Sequence, residues 1–201
     1  MTQFISTWIS RLPDGVRPQV AEALRRHAVR QVATLKASGA ALAHAPSLDD
    51  RVGAIERAKE ELAHLEQASE VYRELSGADL LGDAEQVAAK LPIPGSWLEA
   101  SVAQLVLCLA ARVDFARFVE VATPLRGVTE LAMVEEAEHV SAARAALDEL
   151  CAGSPQTAEV ATEYMARWLP VALDSLETGA PRSAYLKELE TEVRGLGLRL
   201  P

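Results

Sequence analysis

The feature that most constrains this chain is a four-residue signature that occurs twice: Glu61-Leu62-Ala63-His64 and Glu136-Ala137-Glu138-His139. Each lies within a long helical pattern. At 3.6 residues per turn, positions i and i+3 project from one face, so each carboxylate and imidazole can grip the same small object. One such pair in a Glu-rich chain is ordinary surface chemistry. Two pairs, each in the second half of a helical hairpin, require a fold that brings two helices together across a shared interior.

Composition agrees with helix throughout. Apolar residues make up 49% of the 201, enough for a core in a single domain, and aromatic residues only 4%. Ala, Leu, Glu and Arg dominate, which favours helices and gives few of the β-branched and aromatic runs that sheets need. A net charge of −9 argues against a nucleic-acid partner. The densest basic cluster, Arg25-Arg26-His27 with Arg30, reads as a solvated helix face. Two distant cysteines, Cys108 and Cys151, suit a reducing cytoplasm rather than a disulfide framework, and Cys108, inside an apolar run, reads as a small buried hydrophobe. The start of the chain shows no basic segment leading into an apolar one, so no secretory signal is expected. The longest uncharged run, Ala100 to Ala111, is too short for a bilayer, which takes about 20 residues.

Along the chain, Phe4, Ile5, Trp8 and Ile9 repeat at helical spacing before a turn at Pro13-Asp14-Gly15. Four bundle helices are expected over about 17–43, 48–75, 97–121 and 124–150. The first stops at Ala45-Pro46, since the residue before proline is pushed out of the α region. Ser47 with Asp50, and Ser96 with Glu99, form capping boxes, Gly77 is a C-terminal stop, and Thr123-Pro124 starts the fourth helix. The long connection from Gly77 to Gly95 holds a short helix near 84–90. Accessory helices are expected over about 155–177 and 182–195, packed across the bundle. Trp8, Trp97 and Trp168 read as core or interface anchors, and His44, next to the loop, as exposed.

Two hairpins joined by a long crossover, each ending in Glu-x-x-His, are what a ferritin-like four-helix bundle with a dinuclear metal site shows. Residues facing each other in an antiparallel hairpin lie about equally far from its loop. The partner of Glu61 and His64 therefore falls near Arg30 and Gln31, with His27 one turn earlier as a second candidate. The partner of Glu136 and His139 falls near 108–112, where Asp114 is the closest acid. Asp114 stands between Val113 and Phe115, and a buried carboxylate needs a partner. A metal is one; Arg117, at i+3, is another. Glu60, Glu135 and Glu138 read as surface groups or as supports for the ligating imidazoles, with no assignment among them. The candidate metal ligands from the spacing are thus Glu61, His64, Asp114, Glu136 and His139, with Gln31 or His27 on the first helix.

Around both signatures the chain resembles the ferritin-like subunits of phenylacetyl-CoA epoxidase, from bacterial phenylacetate breakdown. The resemblance is carried by Ala45-Pro46-Ser47-Leu48 leading into Glu60-Glu61-Leu62-Ala63-His64, by Val113-Asp114, and by Glu135-Glu136-Ala137-Glu138-His139. With their helical context these span roughly residues 27 to 145. The resemblance implies a non-haem di-iron oxygenase or oxidase, two iron ions (or manganese) with O2 as co-substrate, and an aromatic or acyl-thioester small molecule. It places Glu61, His64, Glu136, His139 and Asp114 at ligand positions. The helix-one glutamate falls on Gln31, a departure. Three carboxylates then set a formal charge of −3 against +4 for two ferrous ions. Non-catalytic subunits of the same epoxidase keep the fold and lose ligands, so a structural subunit paired with a catalytic partner is the alternative. Iron storage or peroxide detoxification is a weaker third option. A homodimer or hetero-oligomer is expected, and a reductase or sister subunit is a candidate partner.

Overall fold

The structure, a computed structural model, describes residues 9–10, 12–121 and 126–200, with the side chains of 117–121 and 126–129 also left aside. Among the described residues there are seven helices and no strand: α1 Arg17–His44, α2 Leu48–Ser76, α3 Leu80–Ala88, α4 Trp97–Val121, α5 Arg126–Cys151, α6 Pro155–Asp174 and α7 Ala180–Val193. The protein is an all-α helical bundle. The expected Thr123-Pro124 cap, the Arg117 side chain and the Phe4, Ile5 and Trp8 pattern fall outside the described residues.

Local chemistry sets the helix ends. Ala45, held extended by Pro46 (φ −58°, ψ 133°), stops α1, and its N–H still donates to Ala41 O at 2.7 Å. The Ser47 hydroxyl accepts from the Asp50 N–H at 3.1 Å and opens α2. Gly77, at φ +70°, closes α2 in the left-handed conformation that glycine adopts without a Cβ clash. Ser96 caps α4 through the Glu99 N–H at 3.1 Å, and the Glu99 carboxylate reaches back to accept from the Gly95 N–H at 2.9 Å. These reciprocal caps fix where each helix begins, and hence the height at which its functional side chains stand.

The helices α1 and α2 pack along their length as one hairpin, α4 packs against α5, and α1 lies against α4. The α2 and α5 backbones approach only sparsely, so the space between them is filled by side chains. Short α3 packs on α1, while α6 and α7 cover α4. Helix α4 is consequently enclosed all round: every residue from Ala100 to Ala111 is buried. A helix apolar on all faces belongs at such a centre, which is why the uncharged run exists. Ala28, Ala33, Ala37 and Ala41 of α1 are wholly buried and let the backbones come close. Trp168 and Tyr185 anchor the accessory helices in the core, Tyr185 donating its hydroxyl proton to Val106 O at 3.2 Å. Trp97 is half-buried, and His44 is exposed. No helix among the described residues is long and apolar enough to cross a membrane.

Candidate metal centre

The two signatures meet. Glu61 and His64 on α2 face Glu136 and His139 on α5, and all four are buried. Each imidazole turns Nδ1 toward both carboxylates. His64 Nδ1 stands 3.8 Å from Glu61 Oε2 and 3.9 Å from Glu136 Oε1; His139 Nδ1 stands 3.4 Å from Glu61 Oε1 and 3.7 Å from Glu136 Oε2. The outer nitrogens cross over to the opposite helix, where His64 Nε2 is 2.8 Å from Glu135 Oε2 and His139 Nε2 is 2.7 Å from Glu60 Oε2. The glutamate preceding each signature thus secures the histidine of the other. A carboxylate accepting Nε2–H fixes the tautomer and leaves the Nδ1 lone pair pointing inward.

What lies inward has no partner. Glu61 Oε2, both oxygens of Glu136, His64 Nδ1 and His139 Nδ1 are buried without a hydrogen bond. Buried polar atoms are normally satisfied, and an unsatisfied one costs about 1–3 kcal/mol. Five converging on one point are what a cation would satisfy, and carboxylate oxygen with imidazole nitrogen is a donor set for iron, manganese or zinc. Among the described residues, Glu61, Cys108, Glu136 and His139 form a buried group whose donor atoms all lie within 4.8 Å of one another. This group could hold a metal ion.

The ionisation states follow from burial and mutual charge. Burial would raise the Glu61 pKa, but the adjacent imidazoles of His139 and His64 outweigh it and hold the carboxyl below its ordinary value. Glu136 is pushed up to about 7 by burial and by the charge of Glu61. For His64 burial works downward, and the carboxylates of Glu61, Glu135 and Glu136 overcome it, raising the imidazole to about 9. The Cys108 thiol is driven up, first by burial and then by the charge of Glu136. Without a cation, protons do the neutralising.

The other two expected ligands are placed differently. Asp114 is buried, but its Oδ2 accepts from Arg30 NH2 at 3.0 Å. Arg30, read from its basic neighbours as part of a solvated face, is wholly buried. Its NH2 also lies 2.9 Å from His27 Nδ1, and its NH1 donates to Ser175 Oγ at 3.2 Å. Burial and the Arg30 charge lower the pKa of His27 and keep it neutral, so Nδ1 accepts from Arg30 and Nε2 carries the hydrogen. Arg25, by contrast, is exposed as expected. Gln31 is buried one turn after His27, its amide nitrogen 3.5 Å from the His27 Nε2 and its Oε1 without a hydrogen-bond partner. Phe115 packs edge-on against both His27, at 5.0 Å, and His64, at 5.7 Å. Helix α1 therefore borders the centre with the uncharged side chains of His27 and Gln31.

Cys108 was the residue most easily overlooked. Its Sγ lies 3.9 Å from Glu61 Oε1, at the height that hairpin geometry assigns to the partner of Glu136. One turn along α2, α4 and α5, a cavity of about 110 Å³ is lined by Asp50, Gly53, Arg57, Gln104, Ala143 and others.

Compared with known proteins, the chain matches no family model and no curated sequence. Fold and site define a helical-bundle protein with a buried carboxylate, imidazole and thiol cluster able to hold a metal ion.

Proposed function

We propose that the protein is a di-metal carboxylate oxidoreductase of the ferritin-like kind, holding two iron ions, with manganese as the substitute, between α2 and α5. It would use O2 to oxidise an aromatic or acyl-thioester small molecule. The observation that carries the metal reading is the convergence of five unpartnered buried donor atoms from Glu61, His64, Glu136 and His139. The resemblance to phenylacetyl-CoA epoxidase subunits supports the choice of iron, O2 and substrate class. Bound iron would supply the electrons that O2 takes up. Glu61 and Glu136 would hold the metal together with His64 and His139, while Glu135 and Glu60 keep the imidazoles in the tautomer that exposes Nδ1. Phe115 and the neutral His27 and Gln31 would keep bulk water from the α1 side. A reducing cytoplasm would preserve the two free cysteines, and a reductase or sister subunit, in a homodimer or hetero-oligomer, would return electrons.

A second reading has its own observation. Asp114 is engaged by Arg30 and α1 offers Gln31, so the inner group holds only two carboxylates. That deficit of negative charge favours a non-catalytic subunit with a partly loaded site, paired with a catalytic partner. Oxygen uptake by the anaerobically ferrous-loaded protein separates the two. Uptake above that of free ferrous iron, lost in Glu61→Ala/Glu136→Ala, is the expected result; uptake identical to free iron overturns the oxidoreductase.

Two further outcomes follow. A cation must displace the proton that His64 keeps below about pH 9 and Glu136 below about pH 7. Manganese affinity should therefore rise from about pH 6 to about pH 8, by up to about tenfold per pH unit for each proton displaced, as measured by calorimetric titration. Replacing Glu60 or Glu135 by Ala frees an imidazole to turn and should weaken metal binding about 10–100-fold without altering helicity. Unchanged affinity would show that the crossed carboxylates do not orient the ligands.

A further inference from the structure

We infer that the centre offers two unequal metal positions, and that the stronger one contains sulfur: Glu61, Glu136, His139 and Cys108. This inference rests on the metal-binding reading above and gives Cys108 the α4 donor position that the expected ligand set gives to Asp114. The donor atoms of these four residues lie within 4.8 Å of one another and come from three helices. Cys108 is wholly buried, with Sγ 3.9 Å from Glu61 Oε1. Around it, both oxygens of Glu136, Glu61 Oε2 and His139 Nδ1 are buried and unpartnered, so the thiol faces a group that already needs a cation.

His64 is not part of that close set. Its Nδ1 reaches the same two carboxylates from the other side, at 3.8 Å and 3.9 Å. The carboxylates are therefore shared, and the two sides differ in what they add. One adds an imidazole and a thiolate; the other adds an imidazole and no further charged donor, because Asp114 is turned to Arg30. The sulfur side has more donors and more negative charge, and it fills first. Thiolate also selects iron, cobalt or zinc over magnesium and calcium, which prefer oxygen. On binding, the Cys108 S–H bond is exchanged for a sulfur–metal bond, and the proton leaves to solvent.

Anaerobic titration of the metal-free protein with Co2+ tests this through absorption rather than activity. The first equivalent should bring a sulfur-to-cobalt charge-transfer band in the near ultraviolet, and the second only weak ligand-field absorption. Cys108→Ser and Cys108→Ala, each checked for wild-type helicity by circular dichroism, should lose the band and bind the first ion at least about tenfold more weakly. Two variants guard against one that merely disturbs the core. Cys151→Ser should keep the band, and His64→Ala should keep it while losing the second equivalent. Cobalt binding without a sulfur band in the wild type, or a band that survives in Cys108→Ser, overturns the inference and leaves the metal centre standing. Absence of cobalt uptake in every form removes the metal centre itself.

Discussion

Arg30→Met is expected to destabilise the fold by about 3–5 kcal/mol, the range for breaking a buried ion pair by removing one partner. In a chain of this length that lowers the unfolding midpoint by roughly 6–20 °C. The guanidinium is wholly buried and joins three parts of the structure: His27 on its own helix, Asp114 on α4, and Ser175 beyond α6. Without it Asp114 keeps its burial and loses its counter-charge, and His27 loses the donor to Nδ1. The pair itself need not be net stabilising, because desolvating two charges offsets most of their attraction. Hence Arg30→Met/Asp114→Leu should recover much of the loss. If the single variant unfolds at the wild-type temperature, the network does not hold α1 to α4.

Glu136 should show the opposite sign. Its carboxyl is raised to about 7 in the folded state from an ordinary 4.5. A carboxyl raised in this way carries no penalty below about pH 4.5, and costs stability progressively as pH climbs through 7 and it ionises. A rise of that size corresponds to about 3 kcal/mol. The metal-free Glu136→Gln variant should therefore be more stable than the metal-free wild type at about pH 8, the difference vanishing below about pH 4.5. A bound divalent cation offsets most of that deficit in the wild type. At a concentration about 100 times its Kd it adds about 2.7 kcal/mol, or roughly 5–10 °C in the wild-type midpoint, and leaves Glu61→Ala/Glu136→Ala where it was. Thermal unfolding by circular dichroism, with and without manganese, reads both effects. An ionised Glu136 that costs nothing would show that another group already neutralises it.

These two residues also show what a sequence can and cannot disclose. Glu61, His64, Glu136 and His139 are visible because i,i+3 spacing is a property of one helix, and their doubling on hairpins of matched length points inward. The caps at Ser47 and Ser96 and the stops at Pro46 and Gly77 are equally local. Arg30 is not legible: beside Arg25 and Arg26 it looks solvated, and its partners lie 84 and 145 residues away. The same ion pair explains Asp114, whose apolar neighbourhood correctly marks a buried acid but does not name its counter-ion. Cys108 sits where hairpin geometry places a donor, yet an apolar run disguises it and draws attention to the nearest acid. Glu60 and Glu135 carry a signal that stands out in hindsight, since each signature is preceded by the same acidic residue; their crossed pairing needs α2 and α5 placed side by side.

The most direct measurement is metal content per chain, after anaerobic loading with ferrous iron and desalting, for the wild type and Glu61→Ala/Glu136→Ala. The centre described here predicts about two irons per wild-type chain, with the one on the Cys108 side the last to be removed by a chelator, and none in the variant. A wild-type protein that leaves the column without metal, or a variant that retains as much as the wild type, would contradict it.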